Sequence, residues 1–221
     1  MADEFEGDFG EEQKKMQAFL KSPEWKRTTA QGWGVNRAET AEIFTANQMY
    51  IRKFPDRAAS LLGKLHCQHY GLPSFGKRLA AATREFVPFT GDPAGWFAQN
   101  GRFTDFSGKT IELPERTFAT HTSGKYTAAR VPLLDVIAEV LRQPDEVWLN
   151  NYDGKAFDCL NYIRFYRDKA INVVCRIENG KTLAVRTWFE IAIRPTTRNG
   201  GKIAPEKDPR LKYRRGLLVK K

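Results

Sequence analysis

The feature that most limits what this chain can fold into is a block of four strand-like runs in close order, at 147–152, 160–167, 171–178 and 182–193. Asp168-Lys169 separates the second run from the third, and Asn179-Gly180 separates the third from the fourth. Connections this short admit only antiparallel pairing, and Asn-Gly is the strongest short hairpin signal. Ahead of the block lies VPLLDVIAEVLRQ, which is apolar on most sides and so expected to be deeply packed. Pro132 suits its first turn, and Pro144 ends it just beyond Arg142. One helix followed by an antiparallel meander is an α+β unit, not a doubly wound sheet. Two further short strands are expected at 110–113 and 117–122.

The chain before this block reads as helical. Ile43, Phe44, Ala46 and Tyr50 form one helical pattern, and Ala58, Leu61, Leu62 and Leu65 a second. Leu79, Ala82 and Phe86 form a third that stops near Pro88. The stretch 90–108, rich in glycine and aromatics, reads as an irregular linker or lid. The expected organisation is an acidic flexible tail at 1–15, a helical domain at 16–100 and an α+β domain at 101–221. The latter is a helix packed on a four- to five-stranded antiparallel sheet.

Charge sharpens that division. The 221 residues carry a net charge of +10. Residues 1–15 hold six acids against Lys14 and Lys15, or −4, while 192–221 hold ten basic residues against Glu206 and Asp208, or +8. An excess of this sign favours an anionic partner. No apolar run is long enough to span a membrane, and the acidic start is unlike a signal peptide. Cys67, Cys159 and Cys175 are odd in number without a CxxC spacing, which argues against a disulfide framework and for a reducing compartment.

Alternation within the strands sorts two faces. Ile163, Phe165, Ile171, Val173, Cys175, Ile177, Leu183, Val185, Phe189 and Ile191 are expected to face the helix. Tyr162, Arg164, Tyr166, Asn172, Arg176, Arg186 and Trp188 are expected on the open face. Arginines interleaved with aromatics are a common way to hold single-stranded nucleic acid. Strict alternation sends Thr187 to the core unless a bulge intervenes.

Motifs for nucleotide binding, zinc hydrolysis or serine chemistry are missing. His66-Cys67-x-His69 lacks the four ligands of a structural zinc site, so no metal and no cofactor is expected. His121, in THTSGKYTAAR, is the sole histidine of the C-terminal half, with Lys125 and Arg130 close by. Histidine can move a proton near neutrality, and Lys and Arg can stabilise a crowded phosphorane.

PDEVW (144–148), NYIRFYRDKAINVVCRI (161–177), TLAVRTWFEI (182–191) and RRGLLVKK (214–221), in this order, resemble the phage-associated nuclease domains of the Barnase–EndoU–colicin E5/D–RelE group. The resemblance spans roughly 110–221 and does not extend to the N-terminal half. It implies a small α+β fold and a metal-independent endoribonuclease, often directed at tRNA. Such a domain acts in the cytoplasm, delivered as a toxin or attached to phage head-morphogenesis proteins. It implies His121 as general acid/base, with Lys125 and Arg130 on the phosphate and Arg164 and Thr187 in the catalytic set. Tyr162 and Trp188 would bind substrate, joined by Tyr166, Arg176 and Arg186 from the face that alternation leaves open. RNA is the implied partner, with an acidic immunity protein as a second. The rival reading is a non-catalytic nucleic-acid-binding or phage head-associated protein.

Overall fold

The computed structural model describes residues 72–150, 159–178, 182–192 and 209–220. The acidic head, the two earlier helical patterns, His66-Cys67-x-His69 and the Asn179-Gly180 turn lie outside them. Within them the chain is α+β. Its helices are α1 (Phe75–Ala81), α2 (Pro93–Gln99), α3 (Glu115–Thr122), α4 (Thr127–Arg130) and α5 (Val136–Arg142). Its strands are β1 (Arg102–Thr104), β2 (Thr110–Glu112), β3 (Glu146–Asn150), β4 (Cys159–Phe165), β5 (Ala170–Glu178), β6 (Thr182–Glu190) and β7 (Leu217–Lys220).

The strands form one sheet in the order β1-β2-β6-β5-β4-β3-β7. The expected meander β3-β4-β5-β6 is its centre. The sheet is larger than four or five strands because β1, β2 and β7 extend both edges, and it is mixed because β2 pairs parallel to β6. Backbone bonds between Tyr166 and Lys169 close the turn between β4 and β5. Gly216 explains how β7 reaches β3. Its φ is +96°, and a Cβ there would stand 2.2 Å from the Leu149 carbonyl oxygen, so no larger residue fits.

Three local expectations are corrected. Residues 117–122 form helix α3, not a strand. Its β-branched threonines are accommodated by back-bonding: Thr120 and Thr122 hydroxyls donate to the Arg116 and Phe118 carbonyls, at 2.8 and 2.9 Å. Its one buried residue, Phe118, stacks on Phe97 with centroids 4.5 Å apart. The stretch 90–108 is not an irregular linker, because it contains α2 and β1. Asp92 caps α2 through the Gly95 N–H, Pro93 opens it, and Trp96 and Phe103 are buried. The pattern through Phe86 is helical only to Ala81; beyond it Arg167 N–H donates to the Arg84 carbonyl and Phe89 N–H to the Pro132 carbonyl.

The largest correction concerns the sheet faces. Tyr162 pairs with Val173 and Arg164 with Ile171, so these side chains share the face covered by α5. Ile163 and Phe165 lie on the reverse face, with Asn172 and Ala170. Neither face is open. Leu133, Leu134, Ile137, Val140 and Leu141 fill the first layer. The reverse face is covered by α1 and the segment 209–216. There Phe75 packs edge-on against Phe165 at 5.3 Å, Tyr213 packs on Phe189, and Arg214 reaches Glu146. Alternation orders residues within a strand, but only register relates one strand to the next.

Candidate active site

Strand β6 pairs with β5 along its length, but β2 reaches only Leu183 and Ala184 of its other side. The rest of that side is a sheet edge with carbonyls to satisfy. The segment α3–α4 supplies the donors. His121, in the last turn of α3, places Nε2 3.1 Å from the Arg186 carbonyl oxygen. Arg130, the last residue of α4, donates through Nη1 to the Trp188 carbonyl, and the Trp188 indole N–H donates back to the Arg130 carbonyl at 3.0 Å.

A bulge makes the first of these bonds. Val174 pairs with Thr187 but Cys175 pairs with Val185, so Arg186 is the extra residue. The bulge exposes the Arg186 side chain while its carbonyl meets His121. It also answers the question left by alternation. Beyond it Trp188 lies on the α5 face, opposite Val173, and Thr187 on the reverse face, opposite Val174.

The carbonyl fixes the histidine's tautomer. A carbonyl oxygen only accepts, so neutral His121 carries its hydrogen on Nε2 and leaves the Nδ1 lone pair without a hydrogen. Nδ1 is enclosed and has no hydrogen-bond partner among the described residues. Burial pushes the His121 pKa below its usual 6.5. The Arg186 carbonyl bond opposes this, and the charges of Arg130 and Arg186 add to the lowering. The ring is therefore neutral at pH 7 and able to accept a proton.

Aromatic contacts hold it in place. Trp188, with 0% exposure, meets the imidazole edge-on at 5.2 Å. Tyr126 meets it edge-on at 5.7 Å, and the Lys125 ammonium stands 5.2 Å from the Tyr126 ring. The Arg130 guanidinium also lies over Phe189, at 5.1 Å. His121, Lys125, Arg130, Arg186 and Trp188 of the sequence set thus come together. Tyr126 joins them without having been expected from the sequence. Its signal was there: an aromatic one residue from Lys125, after a glycine suited to a tight turn.

The other expected residues are placed elsewhere. Tyr162 and Tyr166 are buried beneath α5, so they offer no open stacking surface. The Tyr162 hydroxyl donates to Asp105 at 2.9 Å, and burial with that carboxylate raises its pKa well above the usual range. The Tyr166 hydroxyl donates to Glu139 at 3.2 Å, and its pKa too is raised, chiefly by burial. Arg164 pairs with Glu139 at 2.7 Å and donates to the Gln143 carbonyl at the end of α5. That is a favourable place for a cation, at a helix C-terminus. Arg176 is half-buried on the face away from Trp188, and Thr187, 7% exposed, is on that same reverse face.

Searches of curated proteins and of solved structures return no match. Among protein families, the model described as phage-Barnase-EndoU-ColicinE5/D-RelE like nuclease2 matches residues 85–219. The match takes in α2 to α5 and all seven strands through Val219, and with them His121 and the β6 bulge. The chain belongs to this family of phage-Barnase-EndoU-ColicinE5/D-RelE like nucleases.

Proposed function

We propose that this chain is a metal-independent endoribonuclease whose general base is His121. The observation that carries the reading is the Nε2 bond to the Arg186 carbonyl, which leaves Nδ1 as the proton acceptor amid cationic side chains. RNA supplies its own nucleophile, the ribose 2′-OH. His121 removes that proton, and the oxygen attacks the adjacent phosphorus. Arg186 and Lys125 offset the negative charge that builds on the phosphorane. The 5′ oxygen then leaves with a proton returned by His121, and a 2′,3′-cyclic phosphate remains. Trp188 and Arg130 act by positioning, since each holds the other's backbone carbonyl beside the imidazole.

The biological setting follows the family: a toxin or phage-borne domain acting in the cytoplasm on tRNA or another RNA. An acidic immunity protein would fit the same cationic surface. Nucleic-acid binding without cleavage is a second reading, favoured by the enclosure of Nδ1 in the free protein. Catalytic contacts often tighten only when substrate binds, and the first reading requires that here.

Incubation of total RNA and tRNA with the protein in excess EDTA tests both. Fragments ending in cyclic phosphate are expected from the wild type. His121→Ala should cut slower by about 10²–10⁴-fold. Full activity in His121→Ala removes His121 from the mechanism. Activity abolished by EDTA overturns the metal-independent reading. Salt-sensitive binding with no fragments supports the second reading.

A further inference from the structure

We propose that the Tyr126 ring is a nucleobase subsite, which binds an unpaired base next to the bond being cut. The proposal rests on the ribonuclease reading above and adds to it the class of substrate, single-stranded RNA. Tyr126 is 37% exposed, one of only two large hydrophobic side chains exposed among the described residues. A lone exposed ring is ordinary; this one touches the imidazole edge-on and carries the Lys125 ammonium over it. The backbone holds it there. Gly124 takes a φ of +56°, which glycine adopts without strain, and starts the 3-10 turn Gly124–Tyr126, closed by Tyr126 N–H on the Ser123 carbonyl at 3.3 Å.

This arrangement couples binding to charge. In the free protein the ammonium rests on the ring. A base that stacks there displaces it, and an exposed cation–π contact is weaker than base–aromatic stacking. Lys125 is then released toward the phosphodiester attached to that base. Its charge becomes available to the reaction when a nucleotide occupies the subsite. A base inside a duplex is already stacked on its neighbours, so the subsite selects loops and single strands.

Short DNA oligonucleotides with a single ribonucleotide, and hence one cleavable bond, test this. The nucleotide on either side of that bond carries a base or is abasic. Tyr126→Ala should raise KM about tenfold on the base-bearing substrate and change kcat less, whereas Tyr126→Phe should restore the wild-type value. On the matching abasic substrate, wild type and Tyr126→Ala should have the same KM. Wild-type KM in Tyr126→Ala overturns the subsite and leaves the ribonuclease reading standing. An equal loss on base-bearing and abasic substrates also overturns it, because the ring is then only structural. If the wild-type protein cuts none of these or any other RNA, the ribonuclease reading falls and the subsite falls with it.

Discussion

Two centres in this molecule use arginine in opposite ways. Around Glu146 a carboxylate with 0% exposure receives Arg214 in a two-pronged pair, with Nε and Nη2 both at 2.7 Å. The same carboxylate takes Arg78 at 3.2 Å and the Trp148 indole N–H at 3.0 Å. Arg214 also donates to the Pro73 carbonyl at 2.9 Å. The buried carboxylate is fully paired here, and the centre fastens α1 and the segment 209–216 to the reverse face of the sheet. Around His121, Arg130 donates to the Trp188 carbonyl and lies over Phe189, Lys125 rests on Tyr126, and both charges that bear on the imidazole are positive. Arginine beside a buried carboxylate builds structure. Arginine and lysine gathered beside a neutral histidine create a field for an anion.

Mutations that separate stability from activity test that contrast. The largest effect is expected at His121, where alanine should lower the cleavage rate by about 10²–10⁴-fold. The same change should cost no more than about 1 kcal/mol in a denaturant titration, the value of one ordinary hydrogen bond. A collapse in stability would make His121 a structural cap on the β6 edge, as Glu146 is structural on the reverse face. Next is Glu146→Gln, which leaves Arg214 buried without its counter-charge and should destabilise by about 3–5 kcal/mol, read as a lower urea midpoint. Folded Glu146→Gln protein should still cut RNA; loss of cleavage at full stability would erase the distinction between the centres.

Arg186→Gln should lower kcat/KM by about tenfold and reduce the salt slope of RNA binding by about 0.7, the share of one single-strand phosphate contact. It should also move the acid limb of the pH–rate profile. His121 must be neutral to act as base, so kcat/KM rises with pH through a value below 6.5. Burial is the main cause of that lowering, with Arg186 a lesser one, so removing its charge shifts the limb upward in pH. A downward shift or none would remove Arg186 from the field at the imidazole. The smallest effect is expected for Arg78→Ala. Its side chain is 27% exposed and Arg214 still satisfies Glu146, so a loss of about 1 kcal/mol should be read in the same titration.

The linkage between His121 and folding has the same sign. A histidine held neutral by the fold binds fewer protons than in the unfolded chain at pH values just below 6.5. Stability should therefore fall as pH drops through that range.

Much of the fold was legible in the sequence because it depends on near neighbours. The turn at Asp168-Lys169, the runs that became β3 to β6 and the apolar helix α5 are all set by local pattern and turn chemistry. The segment from His121 to Arg130 stood out through residue type, its place ahead of the packed helix and the family resemblance. Other elements were hidden for physical reasons. Strands β1 and β7 span only three and four residues, too few for a period to show. The threonines of α3 favoured a strand until Phe118 found Phe97 and Trp96 to stack upon.

What the sequence alone determined, then, was an α+β domain with a central antiparallel meander and a basic segment around one histidine. Tertiary structure decided which side chains face one another. Pairing of Tyr162 with Val173 turned an expected open surface into core, and coverage by α1 and 209–216 closed the reverse face. One extra residue in β6 exposed Arg186 and paired its carbonyl with His121. Alternation is a property of a single strand, whereas register, bulges and covering layers arise from contacts between segments far apart in the chain.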